Sequence, residues 1–398
     1  MPCTNTHTHT HTHTHTPSDE LWTLLNFVAR EEFKDRAKFV EDFGDLKSAA
    51  QLENLHKSLK PYVLRREKEH VEKSVPPKEE VIIDVELTVP QKQYYRAIYE
   101  QNTAFLYKGN PKDGPRLTNL AMELRKCCNH PYLVKGAETE ISKHFVDDSP
   151  LEVMVKSSGK LMLLDKLLPK LKTDGHRVLI FSQFRIMLNI IEDYLNLRYY
   201  SYERVDGAVT GKKRQCAIDR YQSATGGAFI MLLSTRAGGV GINLTAADTV
   251  IIFDSDWNPQ NDLQAQARAH RIGQTKSVKV YRLLTRKTYE TVMFKAASIK
   301  LGLDYAVMHN MHGQGGNSTA GVSGVSADRV EHVSGLSKKE LENLLKHGAY
   351  DIFREEKEGQ SIEESNKFCE ADIDQILSRS AVVIHDGKKS GTASIYRY

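Results

Sequence analysis

The sequence holds little that ties it to a membrane, an oxidising compartment or a highly charged partner. No apolar run approaches the roughly 18 residues of a membrane helix, and the N-terminus lacks the apolar core of a signal peptide. Five cysteines occur: Cys3, Cys127, Cys128, Cys216 and Cys369. An odd number with one adjacent pair makes no disulfide framework, and a reducing compartment suits it better. The formal net charge is only +4, so any contact with nucleic acid must come from local patches rather than bulk charge. No G-x-x-x-x-G-K-[ST] phosphate loop occurs, because Gly159-Lys160 runs into Leu161 and Gly211-Lys212 into Lys213. An Asp-Glu-x-His metal motif is also missing.

What is present has room for two or three domains, with 398 residues and 40% hydrophobic content to build cores. Residues 1–18 are low complexity, with Thr and His alternating from Thr6 to Thr16. His-rich tracts can bind metal, but a CA-dinucleotide repeat in DNA translates to the same alternation. The tract is therefore read as a gene-model or splice product and left out of the fold. From Asp19 to about His70 the pattern is helical: Glu20 to Phe27 places apolar residues on one stripe, and Leu52, Leu55 and Leu59 form another. Val81 to Leu87 reads as a strand. It leads into Thr88-Val89-Pro90-Gln91, a capping box ahead of a helix with Tyr94, Tyr95, Ile98, Tyr99 and Leu106. Cys127, Cys128 and His130 sit too close together, without a distant partner pair, for a zinc site, and buried structural cysteines are expected instead. Residues 136–158 are polar and irregular and predict a surface loop.

From Ser158 strands and helices alternate. Leu163, Leu164, Leu167 and Leu168 form a first helical stripe, and Met187, Ile190, Ile191, Tyr194 and Leu195 a second. Arg177–Phe181, Tyr202–Val205, Phe229–Leu233, Thr249–Phe253 and Val278–Leu284 read as strands, and a helix is expected around Ala217 to Tyr221. Near-continuous apolar strands alternating with helices predict a parallel sheet covered on both faces.

The stretch from Ser234 to Gln274 concentrates the chemistry. Gly238, Gly239 and Gly241 allow close approach of a ligand or positive φ. Asn258-Pro259 is an N-cap with proline at the first helical position. Behind it Gln264, Arg268 and Arg271 stand at i, i+4 and i+7, predicting one helical face whose guanidiniums suit phosphate. Ser182 and Gln183, Ser234 and Thr235, and Trp257 and Asn258 all fall where strands end, the position at which α/β folds place ligands. Hydroxyls and amides there suit phosphate contacts, which position without reading sequence. Trp257 either sits on a sugar or base or packs against the helix start.

Gln264-Ala265-Gln266-Ala267-Arg268-Ala269-His270-Arg271-Ile272-Gly273-Gln274, with the glycine turn before it, resembles motifs V and VI of the Snf2 family of DNA translocases in helicase superfamily 2. Phe43-Gly44, Leu64-Arg65-Arg66, Leu124 to Pro131, and Asp206-Gly207 to Arg214 resemble further blocks of that family in the same order. The tail Phe368 to Leu377 resembles the region after the motor in chromodomain-helicase-DNA-binding remodellers, most like the Kismet-like subgroup.

The resemblance implies an α/β fold: a RecA-like helicase C-terminal lobe over 158–310, preceded by the end of the first ATPase lobe and a helical linker over 19–157. A flexible linker over 311–335 and a post-motor tail over 336–398, part disordered and part helical, would follow. Ser337 to Glu340 is expected to cap a short helix with Leu341, Leu344 and Leu345. It further implies ATP and Mg²⁺ in the intact motor, with Gly239, Gly241, Gln264, Arg268 and Arg271 on the nucleotide and both arginines catalytic. Ser182, Gln183, Ser234, Thr235, Trp257 and Asn258 would track the DNA backbone of a nucleosome in the nucleus. The triphosphate and Mg²⁺ motifs belong to the first lobe in that family. This chain is therefore expected to be inactive alone and to bind neither without the missing lobe, a catalytically dead DNA- or partner-binding isoform being the alternative.

Overall fold

The computed structural model describes residues 17–43, 54–55, 57–59, 61–62, 75–101, 106, 120–145, 147–223, 226–238, 241–298 and 360–385. The chain divides into two units, residues 1–68 with 304–335, and residues 69–303 with 336–398. The predicted helix at Ser337 lies outside the described residues.

In the first unit, α1 (Pro17–Val28) and α2 (Arg36–Phe43) form around a small core of Leu25, Phe39, Leu55 and Leu59. Asp35 Oδ1 caps α2 by accepting from the Ala37 and Lys38 amides at 2.9 and 3.2 Å. Trp22 Nε1 and Asn26 Nδ2 both donate to Phe33 O, at 3.1 and 2.7 Å, and so fasten the loop between the helices to α1.

The second unit begins with β1 (Lys78–Val85) and α3 (Val89–Tyr99), the latter opened by the predicted capping box of Thr88 and Gln91. Next come α4 (Leu120–Asn129), a 3₁₀ turn at Pro131–Leu133, α5 (Ala137–His144) and α6 (Pro150–Lys156). The last two correct the reading of 136–158 as a loop. Ser149 and Glu152 make a reciprocal capping box with Pro150 behind it, and Ile141, Val153 and Val155 bury an apolar edge that the polar background hides.

The sheet elements follow: α7 (Gly159–Thr173), β2 (Val178–Ser182), α8 (Arg185–Leu197), β3 (Tyr202–Val205), α9 (Gly211–Gln222), β4 (Ile230–Ser234), α10 (Thr235–Gly238), β5 (Thr249–Ile252), α11 (Pro259–Gln266) and β6 (Val278–Thr285). A helix over 289–298 follows β6. Then α12 (Gln360–Glu370), α13 (Ile373–Ser378) and β7 (Ala381–His385) complete the described chain.

All strands among the described residues join one sheet in the order β3-β4-β2-β5-β6-β1-β7. Every pairing is parallel except β1 with β7, which is antiparallel. The parallel sheet covered by helices is the predicted RecA-like lobe. One core lies between the sheet and α7 and α8, where Leu161, Leu164, Leu168, Ile191, Tyr194 and Leu195 are buried. A second, with Tyr221, Leu244, Ala265 and Ala269, fills the other face. Residues of the tail complete the first core, since Ile373 and Ile376 are buried in it. Lys166 Nζ donates to Cys369 O and Ala371 O, both at 2.6 Å, anchoring α12 and α13 on α7.

Candidate phosphate-facing site

Because the strands are parallel, their C-terminal ends share one edge of the sheet. The chain runs from β2 outward to β3, returns to β4 beside β2, then crosses to β5 on the other side of β2. That crossing brings the sequence-selected strand ends together, with Ser182 in register with Ser234 and Phe181 with Ile252.

The side chains there divide into exposed and supporting groups. Ser182 is fully buried, its hydroxyl hydrogen-bonded to Asp254 while accepting from the Phe184 amide at 3.2 Å. It is therefore no surface contact, which corrects its sequence-based assignment as a direct DNA ligand. Gln183 is also engaged, its amide N–H donating to Asp254 Oδ2 at 3.0 Å and its Nε2 to Ser255 O at 2.6 Å. Burial pushes the Asp254 carboxyl up to about 6, against the charge of Lys160 and these donors.

Thr235 is buried, and its Oγ1 lacks a hydrogen-bond partner among the described residues. A buried hydroxyl of that kind is costly unless something outside the chain completes it. Asn258 caps α11 as predicted, its Oδ1 accepting from the Gln260 amide at 3.2 Å. Trp257 meets Tyr289 edge to face at 6.3 Å between ring centroids and keeps 40% of its surface exposed. Tyr289 thus holds one edge of the ring while the rest stays open to solvent.

The arginine segment departs from the single helical face. Helix α11 stops at Gln266, and the amides of Arg268 and Ala269 bond back to Ala265 O and Gln266 O, a tightening into i→i+3 turns. Gln264 is exposed on the last helical turn, whereas Arg268 and Arg271 stand in the turns beyond it. Arg268 remains half-buried, with Nη1 reaching Ile242 O at 3.5 Å. Burial lowers its pKa, and the neighbouring charge of Arg271 lowers it further. Arg271 is exposed and makes no ion pair with a described residue.

The segment leading into β5 and the arginine turn are stitched together. The Leu244 amide donates to Arg268 O at 3.1 Å. Gln274 Nε2 spans Thr245 O, Ala247 O and Ala269 O at 3.2, 2.7 and 3.1 Å. Gly241 has φ +65°, which a side chain adopts reluctantly. Gly239 lies outside the described residues.

Beneath this edge runs a buried charge network that the sequence reading missed. Lys160 Nζ donates to Asn129 Oδ1, Phe253 O and Glu290 Oε1. Arg125 Nη2 donates to Ser255 O at 3.0 Å, with its guanidinium 5.5 Å from the Phe184 ring centroid. Arg282 Nη1 reaches Asp262 Oδ2 at 2.6 Å, and its Nε reaches Glu80 Oε1 at 2.8 Å. The only sequence signal was charge inside otherwise apolar segments, as with Arg282 in the β6 run. Cys127 and Cys128 are buried, and the Cys127 thiol donates to Gln91 O at 3.4 Å.

The SNF2-related domain profile matches residues 10–133, and the profile of the helicase conserved C-terminal domain matches residues 159–273. Human chromodomain-helicase-DNA-binding protein 8 is 55% identical over 374 residues, covering 92% of this chain and 14% of that protein. Chromodomain-helicase-DNA-binding protein 7 of Gallus gallus is 56% identical over 369 residues, covering 91% of this chain and 12% of that protein. The crystal structure of the C-terminal part of the Fun30 ATPase domain aligns with TM-score 0.50 at 26% identity, covering 70% of this chain and 99% of that one. The chain thus spans a small part of the length of its curated relatives, and within that span its RecA-like lobe and its near-full-length identity place it in the chromodomain-helicase branch of the Snf2 family.

Proposed function

We propose that this chain is the second motor lobe of an ATP-dependent DNA translocase that remodels nucleosomes, acting in the nucleus. Residues 158–310 would be the lobe proper, 19–157 the end of the first lobe and the linker, and 336–398 the post-motor tail, while 311–335 lie outside the described residues. The observation that carries the reading is the pair of adjacent cations, Arg268 and Arg271, in a turn tied through Arg268 O to the Leu244 amide and through His270 to Pro76, beside the starts of β5 and β1. Two like charges held together in that way favour a polyanion, because an incoming phosphate relieves their mutual repulsion.

In the assembled motor Gly239, Gly241, Gln264, Arg268 and Arg271 would face ATP bound by the first lobe, whose hydrolysis with Mg²⁺ would supply the energy of translocation. Arg271, exposed and without an ion pair among the described residues, would answer the negative charge that develops as the terminal phosphoryl group transfers. Thr235, Ser234, Gln183, Trp257 and Asn258 would lie along the DNA backbone, with Ser182 and Asp254 holding their strand ends. The sequence as given carries no phosphate loop, so alone it should hydrolyse no ATP in response to DNA.

The deciding experiment joins this chain to a competent first lobe and changes Arg271 to Ala. Nucleotide should still bind while hydrolysis falls by roughly 10³ to 10⁵, the worth of arginine fingers elsewhere. Arg271→Lys should rescue little, since a point charge lacks the planar fork. Near-normal turnover in a well-folded Arg271→Ala protein removes the assignment of this turn to the nucleotide.

A further inference from the structure

Strand β1 lies outside the helicase C-terminal match and within the SNF2-related one, yet it hydrogen-bonds along β6 from Lys78↔Val278 to Val85↔Thr285. Its first residues touch the arginine segment repeatedly. Lys78 Nζ donates to Gln266 Oε1 at 2.8 Å, and Gln266 Nε2 donates to Glu80 Oε1 at 3.4 Å. Glu80 also holds Arg282, which holds Asp262 in the first turn of α11. Farther along, His270 Nε2 meets Pro76 O at 2.8 Å. Gln266 stands two residues before Arg268, and His270 one before Arg271, so residues 76–80 grip the segment at both ends of the turn.

The Glu80–Arg282–Asp262 triad is buried. Stability alone does not call for such an arrangement, since desolvation consumes much of the Coulombic gain and an apolar trio packs as well. What charge-assisted hydrogen bonds from one planar guanidinium to two carboxylates add is a fixed geometry. Here the geometry fixed is that of α11 and the turn leaving it.

We propose that Lys78 and Glu80 are positioning residues for the arginine turn: through Gln266, and through Arg282 to Asp262, they set where Arg268 and Arg271 stand. The segment that leads into β1 thereby transmits its own placement to the two guanidiniums. This rests on the reading of those arginines as phosphate ligands, and it adds that the strand arriving from the SNF2-related stretch controls them.

The test uses the chain joined to a competent first lobe for kinetics and the 398-residue chain for amide exchange. Lys78→Met removes one tie without leaving a buried charge, and Glu80→Gln weakens the triad while keeping its shape. Asp165→Asn, which removes a surface pair with Arg198, serves as a control. Both positioning variants should lower kcat about tenfold, since misplacing catalytic groups by an ångström can cost as much as 10²-fold, with the KM for nucleotide unchanged. Exchange at residues 267–274 should accelerate while that at Thr249–Ile252 stays slow, and Glu80→Asp should recover part of kcat. Normal kcat in both variants overturns the proposal, as does a loss that tracks the folded fraction with exchange raised across the sheet. Arg271→Ala run in parallel keeps the two ideas apart. If it alone abolishes turnover, the arginine reading stands and this inference fails. If it leaves turnover normal, the underlying reading fails, and the exchange pattern alone decides whether β1 holds the turn.

Discussion

Lys160 Nζ lies 2.6 Å from Glu290 Oε1, with both side chains almost wholly out of water. The ammonium has three protons and three acceptors, the others being Asn129 Oδ1 at 3.0 Å and Phe253 O at 2.8 Å. Glu290 uses its second oxygen on the Thr285 amide and hydroxyl at 3.0 and 2.6 Å. The lysine that follows Gly159, where a phosphate loop would have one, is thus a strut joining α4, α7, β5 and the helix after β6. Removing one partner strands the other as a buried charge, so Lys160→Met should cost about 3–5 kcal/mol. Lys160→Met with Glu290→Leu should cost less than either single change. Urea denaturation of the cycle measures the difference, and additive single costs would count against a coupled pair.

Gly159 itself is required by close packing. A Cβ there would stand 2.1 Å from Glu86 O and 3.0 Å from Val85 Cγ1. Gly159→Ala should therefore destabilise by about 1–3 kcal/mol, the usual cost of overpacking. An unchanged thermal midpoint would show that the β1–α3 connection moves aside freely.

These two neighbours illustrate what the sequence discloses. Local rules read well: the Thr88–Gln91 capping box, the Asn258 cap, and the apolar runs that became β2 to β6 all depend on residues a few positions apart. Ser182, Glu80, Arg125 and Lys160 each depend on at least one partner 72 to 202 residues away, and nothing in a one-dimensional pattern marks those. The spacing of Gln264, Arg268 and Arg271 reads as one helical face, but the helix ends at Gln266 and i→i+3 turns carry the two arginines instead. Likewise α5 and α6 were hidden by a polar background, although the Ser149–Glu152 box was there to be read.

His130 makes stability depend on pH. Both ring nitrogens are used, Nδ1 accepting from the Tyr132 amide at 3.1 Å and Nε2 meeting Met154 O at 3.0 Å, so the ring is neutral and Nε2 carries the hydrogen. Burial lowers its pKa from 6.5 to about 4. Between those values the unfolded chain binds the proton and the folded one does not. The contribution is therefore complete above pH 6.5 and is lost as pH falls toward 4, a change on the order of 3 kcal/mol. Asp254, raised from 3.8 to about 6, works in the opposite sense over an overlapping window. A comparison with His130→Gln, whose amide can replace both bonds, isolates the histidine. The variant should lose less stability than the wild type between pH 6.5 and pH 4 in urea titrations, and parallel curves would refute the assignment.

The strand-end surface should bind DNA through its backbone and weaken steeply with salt. Trp257→Ala should reduce affinity by about 1–3 kcal/mol if its exposed face stacks on a nucleotide. If Trp257 serves only Tyr289, the thermal midpoint should fall while affinity at low temperature is kept. Fluorescence anisotropy beside a melting curve separates the two.

The pairing of β1 with β6 also governs how this unit is made. Glu86, at the end of β1, meets Arg286 across 200 residues of intervening chain. A ribosome adds roughly 5–20 residues each second, so β1 waits on the order of ten seconds or more before its partner exists. During that interval a strand whose second half is largely apolar, with Val81, Ile83 and Val85 destined for burial, has an open edge on each side. Such long-range closure is slow in its own right. Nascent chains of this protein should therefore expose β1 to holdase chaperones until β6 emerges, and truncation before Val278 should leave them bound.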